Sequence, residues 1–188
     1  MRNLAVFNHV SLDGYFVDAN GEMSWAKANQ QDAEWNSFVA ENASGGGTLV
    51  FGRITYEMMA SFWPTPMAKE MMPEVAERMN SLPKIVFSRT LTEAAWNNTR
   101  LIKDNLAAEV QKLKSEPGDT MVILGSGSIV SELTEAHLID EYQVVVNPLA
   151  LGKGRTMFEG ITEKLELKLT GSRAFGNGNV FLRYQPVY

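Results

Sequence analysis

Arg53 and Arg89 each stand two residues past an apolar run, Thr48-Leu49-Val50-Phe51 in one case and Ile85-Val86-Phe87 in the other. A third run, Met121-Val122-Ile123-Leu124, leads straight into Gly125-Ser126-Gly127-Ser128-Ile129. Each reads as a buried strand that ends in a loop with free backbone N–H groups and then opens a helix. Such ends of an open α/β sheet are where anionic cofactors bind. A guanidinium fork matches a phosphate dianion, so the two arginines point to a phosphate-rich ligand such as NADP. Gly52, Thr55, Ser88, Thr90 and the 125–129 turn stand beside them. Taken singly, each arginine reads better as a surface ion pair, and the 125–129 turn equally well as a tight connection without a ligand.

The carboxylates near the first helical segment are Asp13, Asp32 and Glu34. One of them could hold a pyrimidine-like ring by paired hydrogen bonds or help deliver a proton. Asp32 and Glu34 read equally well as first-turn acids favoured by the helix dipole. Several other chemistries are excluded. The 125–129 turn lacks the third glycine of the dinucleotide fingerprint and a following acidic residue at the right offset. Gly125-Ser126-Gly127 is not a nucleophile elbow, which needs Gly-x-Ser-x-Gly. Asp18-Ala19-Asn20-Gly21 opens like a calcium loop, but its twelfth position is Asn29 rather than Glu. His9 and His137 are the only histidines and have no metal-ligand spacing, so no metal site is expected.

The elements that must position these groups follow from pattern and punctuation. Leu4–Val10, Thr48–Phe51, Ile85–Phe87, Thr99–Ile102, Thr120–Leu124 and Glu141–Val146 read as strands. Helices are expected over Gln30–Ala43, with a glycine stop at Ser44–Gly47, and over Ile54–Phe62 and Met67–Leu82. Two more are expected, one N-capped by Asp104 and one over Ser128–Ala136. Leu149–Gly160 reads as a Gly-rich loop, and Leu165–Phe175 with Asn179–Tyr184 as a hairpin across Gly176-Asn177-Gly178. Strand–helix alternation predicts a mainly parallel sheet flanked by helices, closed by an antiparallel C-terminal hairpin.

At 188 residues the chain fits one domain, spanning 1–188. A net charge of −5 without a basic stripe argues against a nucleic-acid partner. The absence of cysteine excludes disulfides, thiolate metal sites and a cysteine nucleophile. No apolar run reaches the ~18 residues of a membrane span, and the first ten residues are too polar for a secretory signal, so a cytoplasmic location is expected.

Taken in order, the motifs resemble the dihydrofolate-reductase-like superfamily, and within it the reductase domain of bacterial riboflavin biosynthesis proteins. Ser11-Leu12-Asp13-Gly14 resembles that domain's opening motif. Val50-Phe51-Gly52-Arg53-Ile54-Thr55-Tyr56 is similar to the Gly-Arg-x-Thr cofactor motif, and Val86-Phe87-Ser88-Arg89 to the second cofactor strand end. Leu124-Gly125-Ser126-Gly127 looks like the glycine loop, Asn147–Gly154 like the Pro-x-x-Leu-Gly-x-Gly segment, and Gly178–Tyr184 like the last strand. The resemblance implies an NADPH-dependent reductase of a small heterocycle, usually a homodimer. Its closest reaction is reduction of 5-amino-6-(5-phosphoribosylamino)uracil in riboflavin biosynthesis; folate reduction is the second choice. Carried over, Gly52, Arg53 and Thr55 would hold cofactor phosphates, and Ser88 and Arg89 the 2′-phosphate end. Gly125, Ser126, Gly127 and Ser128 would cradle the pyrophosphate. Trp25 and Asp32 would face the substrate, with Glu34 and Asp13 as the other candidate carboxylates. A nucleotide-binding or sensing module without turnover is the alternative.

Overall fold

The computed structural model describes residues 1–26, 32–44 and 47–188. In chain order the elements begin with β1 (Leu4–Ser11), β2 (Tyr15–Val17), a 3-10 turn at Ser24–Ala26, α1 (Ala33–Ser44) and β3 (Thr48–Gly52). α2 (Arg53–Phe62), α3 (Pro66–Met71), α4 (Pro73–Ser81), β4 (Lys84–Phe87) and β5 (Thr99–Ile102) follow. The chain continues through α5 (Leu106–Ser115), β6 (Met121–Leu124), α6 (Gly127–Glu135) and β7 (Glu141–Asn147). It closes with β8 (Arg155–Thr156), β9 (Leu167–Ala174) and β10 (Val180–Pro186).

Eight strands form one sheet in the order β5-β4-β3-β6-β1-β7-β10-β9. The first six run parallel, and β10 is antiparallel to both β7 and β9. This is the mixed, mainly parallel architecture with an antiparallel C-terminal hairpin that the alternation predicts. Side chains alternate across β1. Leu4, Val6 and Val10 join the core beneath α5 and α6, with Ile123, Ile129, Val130 and Leu133. Phe7 turns to the opposite face and packs with Trp35 and Phe38 of α1.

Four local expectations need correction. α1 begins at Ala33, not Gln30, and Gln30 and the Gly45-Gly46 part of the expected stop lie outside the described residues. The single helix expected over Met67–Leu82 is two helices. Pro73 has no N–H to continue α3, and Met72 takes φ −143°, ψ 67° at the break. The N-cap of α5 is Asn105 rather than Asp104, with φ 56°, a left-handed value that asparagine tolerates. The Gly-rich loop contains β8, which pairs antiparallel with β2 in a separate two-stranded sheet.

A buried lysine organises the β3–β4 end of the molecule. Lys84 is 1% exposed, and its Nζ donates to the carbonyls of Asn80, Leu82 and Asn97 at 3.1, 2.8 and 3.1 Å. It lies 4.5 Å from the centre of the Trp96 ring. The Trp96 backbone N–H donates to the Tyr56 hydroxyl at 2.9 Å, and its indole N–H to Asn80 Oδ1 at 2.8 Å. Tyr56 belongs to α2, so this cluster fixes the helix that begins at Arg53.

Candidate functional site

Strand order, though not strand direction, reverses about β1. The strands made after it spread to one side as far as β5, β6 then inserts beside β1, and β7 takes the other side. Ligands of open α/β sheets bind at the carboxyl ends of strands at such a switch. Here β3 ends at Gly52 and β6 at Leu124, and both continue at once into helices.

The two turns are stitched together. The Gly52 N–H donates to Ser126 Oγ at 2.8 Å, and the Ser126 N–H to Thr55 Oγ1 at 3.2 Å. Gly52 and Ser126, the N-caps of α2 and α6, make no side-chain capping bond. The Ile129 N–H goes to the Ser126 carbonyl at 2.9 Å, so the amides before it at these helix starts are the ones left for an external acceptor. They open into a cleft of about 470 Å³ lined by Gly52, Arg53, Thr55, Ser126, Gly127, Ser128 and Ile129. Phe87 also lines it, and the far wall carries Phe16, Val17 and Arg155. Gly127 permits that wall to close, because a Cβ there would lie 2.7 Å from Phe16 Cζ. Each cleft arginine rests on a carboxylate one turn further on, Arg53 on Glu57 at 2.9 Å and Arg155 on Glu159 at 2.8 Å. Sequence reasoning missed Arg155. It is distant along the chain from the other cleft residues, and its one local signal is the basic run Lys153-Gly154-Arg155.

Ser88, Arg89 and Thr90 follow Phe87 but stand outside the cleft lining. The Ser88 hydroxyl accepts from the N–H groups of Thr90 and Leu91, closing its own turn. The Arg89 side chain is 82% exposed and 4.0 Å from Asp104.

β1 and β6 pair only as far as Phe7 and Leu124, whereas β1 continues beside β7 to Ser11. β6 ends there, and beyond it Asn8 donates from Nδ2 to the Gly125 carbonyl at 3.3 Å. Its Oδ1 is buried without a partner. A buried amide oxygen left unbonded costs about 1–3 kcal/mol, so it suits a ligand N–H. Uncapped helix starts and a cleft guanidinium fit a phosphate-bearing ligand, while Asn8 itself lies outside the cleft lining.

The three candidate carboxylates are all engaged. Asp13 accepts from the Ser11 hydroxyl at 2.6 Å and from the amides of Leu151 and Gly152 at 3.0 and 2.7 Å. These bonds, the Ser11 one foremost, hold its pKa down to about 2. Asp32 caps α1 through the Trp35 N–H at 3.0 Å and accepts from the Asn177 N–H at 2.8 Å. Both bonds lower its pKa, the Trp35 contact most. Glu34 pairs with Arg173 of β9 at 2.8 Å. Trp25 is half-buried in the 3-10 turn and donates to the Glu22 carbonyl at 3.1 Å.

On the face of the sheet that carries α1, a second cleft of about 530 Å³ lies between α1 and the α3–α4 break. Its lining includes His9, Trp35, Val39, Met72, Pro73 and Val75. Burial pulls the His9 pKa down from 6.5 to about 4, so the ring is neutral at pH 7. Because the folded value lies below the unfolded one, protons favour the unfolded chain between these limits. Stability is thus full above pH 6.5 and is lost as pH falls towards 4, by roughly 3 kcal/mol at 1.36 kcal/mol per unit. Urea unfolding at pH 7 and pH 4.5 is expected to show a smaller acid loss in His9→Phe than in wild type.

Among the described residues, no helix is long and apolar enough to cross a membrane, and no cluster of three or more metal-ligating side chains occurs. The family model of the RibD C-terminal domain matches residues 2–181. The uncharacterized protein YyaP of Bacillus subtilis is 29% identical over 175 residues, covering 93% of this chain and 90% of that protein. A solved chain from Shewanella sp. PV-4, named as a candidate riboflavin biosynthesis protein, superposes with a TM-score of 0.76 at 24% identity, over 99% of both chains. Dihydrofolate reductase from Enterococcus faecalis, solved with NADP(H), superposes with a TM-score of 0.64 at 16% identity, over 99% of this chain and 97% of that one.

Proposed function

The chain belongs to the RibD C-terminal domain family, and from that premise we propose that it is an NADPH-dependent reductase of a small heterocycle. The observation that carries this reading is the meeting of two uncapped helix starts with Arg53 in one cleft. When bound, the dihydronicotinamide would supply the hydride. The chain's part is to bind and orient. Gly52, Arg53, Thr55, Ser126, Gly127, Ser128 and Ile129 hold the phosphates. Ser88, Arg89 and Thr90, at the adjoining edge, take the adenosine 2′-phosphate. The substrate enters from the α1 side, beside Trp25 and Asp32. A phosphoribosylaminouracil is the first candidate substrate and a pterin the second. The reading carries with it a homodimer in the cytoplasm, checked by light scattering and cell fractionation.

Titration of the protein with NADPH and NADH tests it. A charge-assisted hydrogen bond contributes about 1.5–3 kcal/mol, so Arg53→Ala is expected to weaken NADPH binding roughly tenfold to a hundredfold. Arg89→Ala is expected to lower the preference for NADPH over NADH. Unchanged affinities in both variants would sink this assignment.

One observation favours the second reading, a nucleotide-binding module without turnover. Asp13, Asp32 and Glu34 are all spent on structural contacts, leaving none of the three free to move a proton. NADPH consumption with pyrimidine and pterin substrates separates the two.

A further inference from the structure

The Asn147 side chain decides which nitrogen of His9 carries the proton. Its Nδ2 lies 3.2 Å from both the Val10 and the Val145 carbonyls, so this atom must be the amide nitrogen, with its hydrogens directed at those oxygens. The same nitrogen stands 3.3 Å from His9 Nδ1. A proton on Nδ1 would set two donors against each other. The neutral ring therefore carries its proton on Nε2.

Among the described residues, no group bonds Nε2. His9 lines the α1 cleft and also a cavity of about 430 Å³ along the same sheet face, beside Ala5, Phe7, Val122 and Leu124. Its ring meets Trp35 edge-on, with centroids 5.8 Å apart. The surroundings are aromatic and aliphatic. Among the described residues no Lys or Arg lines the α1 cleft, while Glu74 does. Glu74 in that lining disfavours an anionic group, and the apolar walls favour an uncharged planar body.

We infer that His9 is the specificity-determining donor of this cleft, presenting Nε2–H to a carbonyl or ring-nitrogen acceptor of an uncharged aromatic heterocycle. The inference rests on the reductase reading only for that heterocycle being the substrate. His9 fixes which edge of the ring faces the sheet. Asn147, which bonds His9 and the Val10 and Val145 carbonyls, is the positioning residue behind it.

The test uses the full chain with ¹⁵N-labelled histidine and 4-quinazolinone as probe, with naphthalene as a flat control lacking an acceptor. Long-range ¹H–¹⁵N spectra are expected to show His9 protonated at Nε2 and bare at Nδ1, with Nε2 shifting as the quinazolinone is added. His9→Phe is expected to bind quinazolinone at least tenfold more weakly, and His9→Gln, which keeps a donor, within threefold of wild type. Naphthalene is expected to bind wild type and His9→Phe alike. A proton on Nδ1, quinazolinone affinity unmoved in His9→Phe, or no binding to wild type would each overturn the assignment. NADPH titration is run in parallel. If NADPH fails to bind while quinazolinone binds through His9, the reductase reading falls and the donor role stands.

Discussion

Gly154→Ala is expected to destabilise the protein by about 3 kcal/mol or more, lowering Tm by roughly 6–12 °C for a chain of this size. Gly154 takes φ +151°, outside the range of L side chains, and an added Cβ would fall on the Val17 carbonyl oxygen. The oxygen is backbone and a Cβ has no rotamer, so no side-chain adjustment can relieve the overlap. Val17 pairs with Arg155, and Phe16 of the same short strand lies against Gly127 at the start of α6. Displacing β8 therefore shifts the wall that carries Arg155. Weaker NADPH binding is expected to accompany the stability loss. Gly152→Ala is the control: φ is +72° and nothing lies within 4 Å of the added Cβ. It is expected to lose only about 1 kcal/mol. Calorimetry of the two variants, with NADPH titration at a temperature where both are folded, checks the pair of outcomes.

Lys84→Met is expected to lose roughly 3 kcal/mol, read as a lower urea midpoint at unchanged slope. Methionine keeps the volume and removes the cost of burying a charge. It also strips donors from the carbonyls of Asn80, Leu82 and Asn97, and no water reaches a side chain that is 1% exposed. Burial lowers the Lys84 pKa from 10.5 to about 8, so the ammonium persists at neutral pH on carbonyl contacts and the Trp96 face alone. The loss should extend to ligand binding. Trp96 holds Tyr56 one turn into α2, and Arg53 and Thr55 stand on that turn. A Lys84→Met protein as stable and as competent for NADPH as wild type would show that the cluster positions nothing.

The contrast between these residues explains what the sequence reveals. Gly52-Arg53 and Gly125–Ser128 are legible because strand, turn and helix start are consecutive, and the chemistry depends on backbone that those few residues shape. Pro73 is equally local, and its effect on the helix expected over Met67–Leu82 follows from its missing N–H. The carboxylates are harder. Asp32 and Glu34 share a first turn, and only the arrival of Asn177 and Arg173 from the C-terminal hairpin decides what each does. Asp13 likewise depends on amides that lie at positions 151 and 152. Arg155 and His9 were invisible as site residues for the same reason. The first needs β2 as its partner, and the second needs Asn147 to choose its proton.

The position of β1 has a consequence for the order in which the chain can fold. It precedes the other strands of the sheet along the chain and stands inside the sheet, yet Leu4 pairs with Met121 and Ala5 with Glu141. On the ribosome, this apolar strand waits without either neighbour while β3, β4 and β5 emerge and can pair among themselves. Closing such long loops is slow, and an unpaired strand edge invites association with other chains. The cleft built where β3 and β6 run into α2 and α6, with Arg155 on its far wall, therefore comes into being only after β6 and β8 have been made. A nascent chain halted before β6 should be a chaperone client rather than a smaller version of the folded protein.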